Sequence, residues 1–143
     1  MRAPLYYEDF TIGQILESRR PYTIDRAGAI AFAKEYDPQD QHLDDDKAKD
    51  SLFGELVVSG WQTSAVTMRL KTETDLLHIK GGLVGLGIES MRWPQPTMPG
   101  DTLRLVITVL EKRVSGSRPG MGIIKYRGQT LNQKSELVME MLT

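Results

Sequence analysis

Thr102-Leu103-Arg104-Leu105-Val106-Ile107-Thr108-Val109, continued to Val114, decides the fold class. Leu103, Leu105, Ile107 and Val109 recur at every second position, with Arg104 and Thr108 on the opposite face. That is the pattern of a strand half-buried in a sheet. Downstream, residues 115–122 read as a loop. Residues 123–132 and 137–142 read as a closing hairpin around Asn132-Gln133-Lys134-Ser135-Glu136. Upstream, residues 83–93 are glycine-interrupted and strand-like, and Pro94, Pro96, Pro99 and Gly100-Asp101 make a turn. The gaps between these strands are short, which suits antiparallel neighbours; parallel strands need a crossover of a dozen or more residues.

The first half of the chain reads differently. Residues 14–24 carry branched and aromatic side chains with Pro21 among them, which points to an edge strand or a bulge. Asp25 is a good N-cap, and Ala29, Phe32, Ala33 and Tyr36 follow at helical spacing. Pro38 pushes Asp37 out of the α region, so this helix stops at Tyr36. A polar stretch from Asp37 to Ser51 has room for a short helix over residues 44–49. A second long helix runs from about Gly60 to Thr74. Trp61, Ser64, Ala65 and Met68 share one of its faces, and Val66 and Leu70 add apolar surface elsewhere, as in a helix buried on several sides. Helices followed by a run of strands predict an α+β domain, with one long helix against a curled five-stranded antiparallel sheet.

Composition narrows the function classes. A chain of 143 residues fits one domain, 1–143, and can bury roughly two-thirds of its unfolded surface without a metal or disulfide. Its 18 basic and 19 acidic residues leave a net charge of −1, with no basic run, so neither nucleic acid nor an anionic membrane is expected as a partner. Cys is absent, which removes disulfides, thiolate metal sites and cysteine nucleophiles. With two histidines and no clustered ligand spacing, no metal site is expected. No apolar core follows Arg2 and no apolar stretch approaches the roughly 20 residues of a membrane span, so a cytoplasmic location is expected.

Few residues can carry chemistry. His78 lies in a stretch read as a surface loop. His42 has Asp37 five positions before it and Asp44 two after, on a segment of little regular structure, where functional groups concentrate. Read locally, Asp37 is a turn residue ahead of Pro38, and Asp44 is the N-cap of a short helix. Ser59-Gly60 stands at the head of the second long helix. Free backbone N–H groups and a partial positive charge there suit an oxygen gaining negative charge. The local alternative is an N-cap serine and a close-packed glycine.

Taken together, Phe32-Ala33-Lys34-Glu35-Tyr36-Asp37-Pro38-Gln39, His42-Leu43-Asp44 and Phe53-Gly54-Glu55-Leu56-Val57-Val58-Ser59-Gly60-Trp61 resemble the MaoC-like dehydratases, relatives of the (R)-specific enoyl-CoA hydratases. Gly87-Ile88-Glu89-Ser90-Met91-Arg92-Trp93-Pro94-Gln95-Pro96, Pro99-Gly100-Asp101-Thr102-Leu103 and Ser117-Arg118-Pro119-Gly120 extend the likeness along nearly the whole chain. The resemblance implies a hot-dog fold, a long central helix wrapped by a five-stranded antiparallel sheet, with a short N-terminal helical overhang. It implies reversible hydration of a trans-2-enoyl-CoA to a 3-hydroxyacyl-CoA of R configuration, with no cofactor beyond the CoA thioester substrate. Asp37 and His42 match the catalytic positions and Gly60 the oxyanion-hole glycine, with Ser59 and Asp44 in support. A homodimer is implied, with the acyl-thioester tunnel at its interface, as is a possible assembly of dimers.

The sequence departs from the family pattern at several points. Gln39 and Asp40 stand where Asn and Pro are common, Ser59 where His is common, and Met68 where a supporting serine is expected. Two alternatives therefore stay open: an acyl-CoA thioesterase on the same fold, and an acyl-CoA-binding subunit without turnover. Arg92, Arg118 and Lys125 are either contacts for the CoA phosphates or solvated surface charges.

Overall fold

Proline lacks the N–H that a sheet ladder needs. In a computed structural model that describes residues 3–143, the stretch around Pro21 is accordingly broken into two short strands. β1 (Ile15–Glu17) and β2 (Tyr22–Thr23) flank the interruption. Met1 and Arg2, part of the N-terminal stretch read above, lie outside the described residues. α1 (Arg26–Tyr36) follows, with the Asp25 carboxylate accepting from the Gly28 N–H at 2.6 Å, and it ends one residue before Asp37 as Pro38 requires. Two one-turn helices come next, α2 (Asp40–Leu43) and α3 (Asp45–Ala48), then the long α4 (Gly60–Lys71). The remaining strands are β3 (Ser90–Arg92), β4 (Thr102–Val114), β5 (Gly122–Leu131) and β6 (Leu137–Leu142).

The five strands β1-β4-β5-β6-β3 form one antiparallel path, and β2 pairs separately with β4, so the sheet has six strands rather than five. The sixth is the two-residue piece left beyond Pro21. β4 is the spine: its register pairs Leu105 with Thr130, Ile107 with Gly128 and Val109 with Tyr126. The register shifts between Val109 and Glu111, a bulge of the kind that bends a strand and lets the sheet curl round α4. The order and the wrapping are those of the hot-dog fold. Residues 83–89 are not strand, however. Gly81 and Gly82 take φ of +85° and +81°, and only Ser90–Arg92 joins the sheet.

The core side of α4 differs from the face picked out by periodicity. Thr63, Val66, Thr67 and Leu70 are the buried positions, whereas Trp61 is 60% and Met68 49% exposed. The two threonines are tolerated because each hydroxyl finds a partner: Thr67 Oγ1 lies 2.6 Å from Thr130 Oγ1, and Thr63 Oγ1 donates to Thr97 Oγ1 at 3.0 Å. Beneath them pack Leu103, Leu105, Ile107 and Val138, all nearly inaccessible. Ile107, at the centre of β4 and fully buried, tests this core. Ile107→Ala is expected to lower the unfolding free energy by about 2–5 kcal/mol, read as a lower urea midpoint with an unchanged slope.

Candidate functional site

Pro38 ends α1 and Gln39 starts a single turn of helix. Asp37 is therefore the C-cap of α1, while His42 sits on α2 with its ring turned inward. The imidazole is 8% and the Asp37 carboxyl 14% exposed, and His42 Nε2 lies 3.4 Å from Asp37 Oδ2. The opposite ring nitrogen, Nδ1, is 2.7 Å from the Val57 carbonyl oxygen. A carbonyl can only accept, so Nδ1 carries a proton. In its neutral form the ring therefore turns an unprotonated Nε2 toward the carboxylate. The carbonyl that imposes this is itself held in place, because the Val57 N–H donates to the Gln41 carbonyl at 3.0 Å and the Val58 N–H to the Thr97 carbonyl at 2.8 Å.

Asp37 is held from two further directions. Ser59 Oγ donates to Oδ2 at 2.6 Å and Gln39 Nε2 donates to Oδ1 at 2.6 Å. Burial pushes this carboxyl upward. The hydrogen bonds from Gln39 and Ser59 lower it, as does the neighbouring His42 whenever its ring is charged, and Asp37 is held below the usual carboxylate range. Ser59 also caps α4, its Oγ accepting from the Trp61 N–H at 3.2 Å. One hydroxyl thus ties the carboxylate to the helix head, where the Gly60 N–H follows immediately. Among the described residues that N–H meets no acceptor. The Trp93 indole covers the glycine: a Cβ at Gly60 would meet ring atoms at 3.1–3.3 Å, and Trp93 Nε1 donates to the Gly60 carbonyl at 3.0 Å.

Of the residues singled out from the sequence, Asp37, His42, Ser59 and Gly60 come together. Asp44 does not join them. Its carboxylate caps α3, accepting from the Asp46 and Lys47 N–H groups at 2.9 and 3.0 Å, and those bonds hold it below the usual range. Arg92 pairs with Glu140 at 2.7 Å and Lys125 with Glu89 at 2.9 Å, while Arg118 is exposed in the loop 115–121. In the sequence Gln39 stands out only as a departure from the family pattern. Its place between Asp37 and His42 was the available signal that its amide serves the carboxylate. The Val57 carbonyl left no trace in the sequence. Among the described residues no group of three or more His, Cys, Asp or Glu side chains gathers in the manner of a metal site. Nor is any helix long and apolar enough to cross a membrane.

The profile of the MaoC like domain matches residues 9–127. This chain belongs to the MaoC-like domain family. The MaoC-like dehydratase of Rhodospirillum rubrum is 40% identical in sequence and superposes with a TM-score of 0.88 over 97% of this chain and 96% of its own. The Bacillus subtilis (strain 168) protein YdeM, itself uncharacterized, is 31% identical over 133 residues, 93% of this chain and 92% of its own. The (R)-hydratase from A. caviae involved in PHA biosynthesis shares the fold at 22% identity, with a TM-score of 0.70 over 94% of this chain and 96% of its own. The chain thus shares its fold with a MaoC-like dehydratase and with an (R)-hydratase.

The Ser59 bridge is open to test. Because Asp37 is held low, the stability it lends is complete at neutral pH and is lost only as the pH falls through its depressed folded-state value. In Ser59→Ala that loss begins at higher pH. Carboxyl-carbon NMR is expected to show Asp37 protonating at higher pH than in the wild type. The lost cap and hydrogen bond are expected to cost about 1–3 kcal/mol at neutral pH. An Asp37 titration unmoved by the substitution would refute the bridge.

Proposed function

We propose that this protein is an acyl-thioester hydratase/dehydratase, adding water reversibly to a trans-2-enoyl-CoA to give a 3-hydroxyacyl-CoA of R configuration. The observation that carries the reading is the 3.4 Å approach of His42 Nε2 to Asp37 Oδ2 with Nδ1 committed to the Val57 carbonyl. Two acceptors then face one another, and a water molecule, which has two O–H groups, satisfies both. Oδ2 keeps a lone pair for it after accepting from Ser59.

The thioester makes the β-carbon electrophilic. As the water oxygen bonds to that carbon, one of its protons passes to His42 Nε2, while the other stays hydrogen-bonded to Asp37. A carboxylate stabilised by two donors is a poor proton acceptor, which leaves the imidazole as the general base. Electron density moves to the thioester oxygen, where the Gly60 N–H and the positive end of α4 stabilise it. One such donor is worth about 2.7–4 kcal/mol in other enzymes. The proton on Nε2 is then delivered to the α-carbon, which completes the addition and returns the ring to its starting state.

A homodimer fits the same reading. β3 is a free sheet edge of three residues. The stretch just before it exposes Leu83, Val84, Leu86 and Ile88, at 41–78% of their surfaces. A second copy pairing along that edge would cover these side chains and extend the sheet, in an isologous contact of the commonest kind. Higher assembly of such dimers is compatible with it.

Two measurements check the proposal. Asp37→Asn and His42→Ala are each expected to slow hydration of crotonyl-CoA by about 10²–10⁴-fold with an unchanged circular dichroism spectrum. Full activity in both variants would refute it, and release of free thiol in place of hydration would make the enzyme a thioesterase. Sedimentation equilibrium is expected to give twice the chain mass, with Val84→Glu shifting the protein toward monomer.

A further inference from the structure

A cavity of about 410 Å³ opens between α4 and the concave side of the sheet. Ser64, Met68 and Lys71 of α4 line it, with Met91, Tyr126 and Met141 from the strands opposite. Ser64 is one turn beyond Gly60, so the cavity runs along α4 away from the helix head. That is where the acyl chain of a thioester held at Gly60 would extend. Its walls are mostly apolar, with the hydroxyls of Ser64, Thr67 and Thr143 among them and a single charged side chain. Lys71, the last residue of α4, is half-buried in it, with Nζ 4.9 Å from the centre of the Tyr126 ring.

This lysine differs from the other basic side chains nearby. Lys125 on the adjoining strand meets Glu89 at 2.9 Å and Glu111 at 3.7 Å. Among the described residues Lys71 has no carboxylate within ion-pair distance; it has only the aromatic face. Burial holds its amine below the ordinary lysine value, the mark of a charge that lacks compensation. Tyr126 is nearly inaccessible, and burial pushes its phenol up to about 12, so at neutral pH it keeps its proton and can donate. That hydroxyl, too, has no hydrogen-bond partner among the described residues. A cation in the last turn of a helix is favoured by the dipole even when it points to water. Here the amine is instead turned over an aromatic ring, into a cavity otherwise suited to hydrocarbon.

We propose that the cavity takes an acyl chain ending in a carboxylate, with Lys71 as its counter-charge and the Tyr126 hydroxyl as a second donor. The proposal rests on the reading of Gly60 as the thioester end of the site. At ~1.5 Å per residue, Lys71 stands about 16 Å along the axis from Gly60. Helix side chains lean back toward the N-terminus, which shortens the span. The matching substrate class is a medium-chain enoyl thioester of a dicarboxylic acid.

The test compares two medium-chain enoyl-CoA thioesters of equal length, one ending in a methyl group and one in a carboxylate. It also measures calorimetric binding of the corresponding saturated acyl-CoAs. The wild type is expected to favour the carboxylate-ended chain by about ten- to hundred-fold in kcat/KM and in Kd, the usual range for a hydrogen bond to a charged group. Lys71→Met is expected to reverse the preference and Lys71→Arg to retain it, with folding checked by circular dichroism. Equal treatment of the two chains by the wild type overturns the proposal. So does a wild-type preference for the methyl end, or an equal loss on both chains in Lys71→Met. Hydration of neither, with Lys71-dependent binding of the carboxylate-ended thioester, overturns the proposed reaction and upholds the pocket. Binding of neither overturns both.

Discussion

A neutral imidazole has one donor and one acceptor nitrogen, and whatever binds the first decides what the second can do. In this protein the Val57 carbonyl takes the Nδ1 proton, and Nε2 is left as an acceptor facing Asp37. Had the ring been turned over, Nε2–H would simply donate to the carboxylate, giving a closed pair with nothing left to hold. The peptide that prevents this is fixed by backbone bonds to Gln41 and Thr97, so the tautomer is set by the main chain rather than by another side chain. The extended run Leu56-Val57-Val58, buried on its way to the helix, is thus part of the site although it carries no reactive group.

α4 organises everything else. Its first residue offers the unsatisfied N–H, its N-cap hydroxyl grips the carboxylate, and its buried stripe locks it into the sheet. The flank beside that stripe, from Ser64 through Met68 to Lys71, lines the cavity. A helix with an apolar girdle could not do this, since packing the sheet against Met68 would close the groove. The threonine pairs Thr63–Thr97 and Thr67–Thr130 anchor the helix through hydroxyls while the flank carrying Ser64, Met68 and Lys71 remains open.

Much of this was legible in the chain. The period-two run of β4, the Asp25 cap, the stop before Pro38 and the closing hairpin around Asn132 all follow from local chemistry, and the structure has them where the residues place them. The convergence of Asp37, His42 and Gly60 came from resemblance, because a spacing of five says nothing about where a ring points. Three features could not be read. The core face of α4 was hidden because threonine counts as polar until its partner is known. Residues 83–89 looked like a strand because their branched side chains outweighed Gly85 and Gly87 and the left-handed Gly81-Gly82 just before them. The turn of helix at Asp40–Leu43 was invisible because one turn has no periodicity to detect.

The donors around Asp37 are neutral. An arginine beside the carboxylate would also hold it ionised, but its forked donors would occupy both oxygens and its charge would be felt at Nε2, disfavouring protonation of the ring. A hydroxyl and an amide each take one lone pair, orient the group and add no charge. The carboxylate stays ionised and directional while the imidazole remains free to accept a proton. Gln39, which stands where the family pattern has asparagine, supplies the amide, reaching Oδ1 at 2.6 Å from the same loop. At that position, therefore, the departure from the family pattern still leaves the carboxylate a neutral donor, while the charge proposed to select the acyl end lies further along α4, in the wall of the cavity.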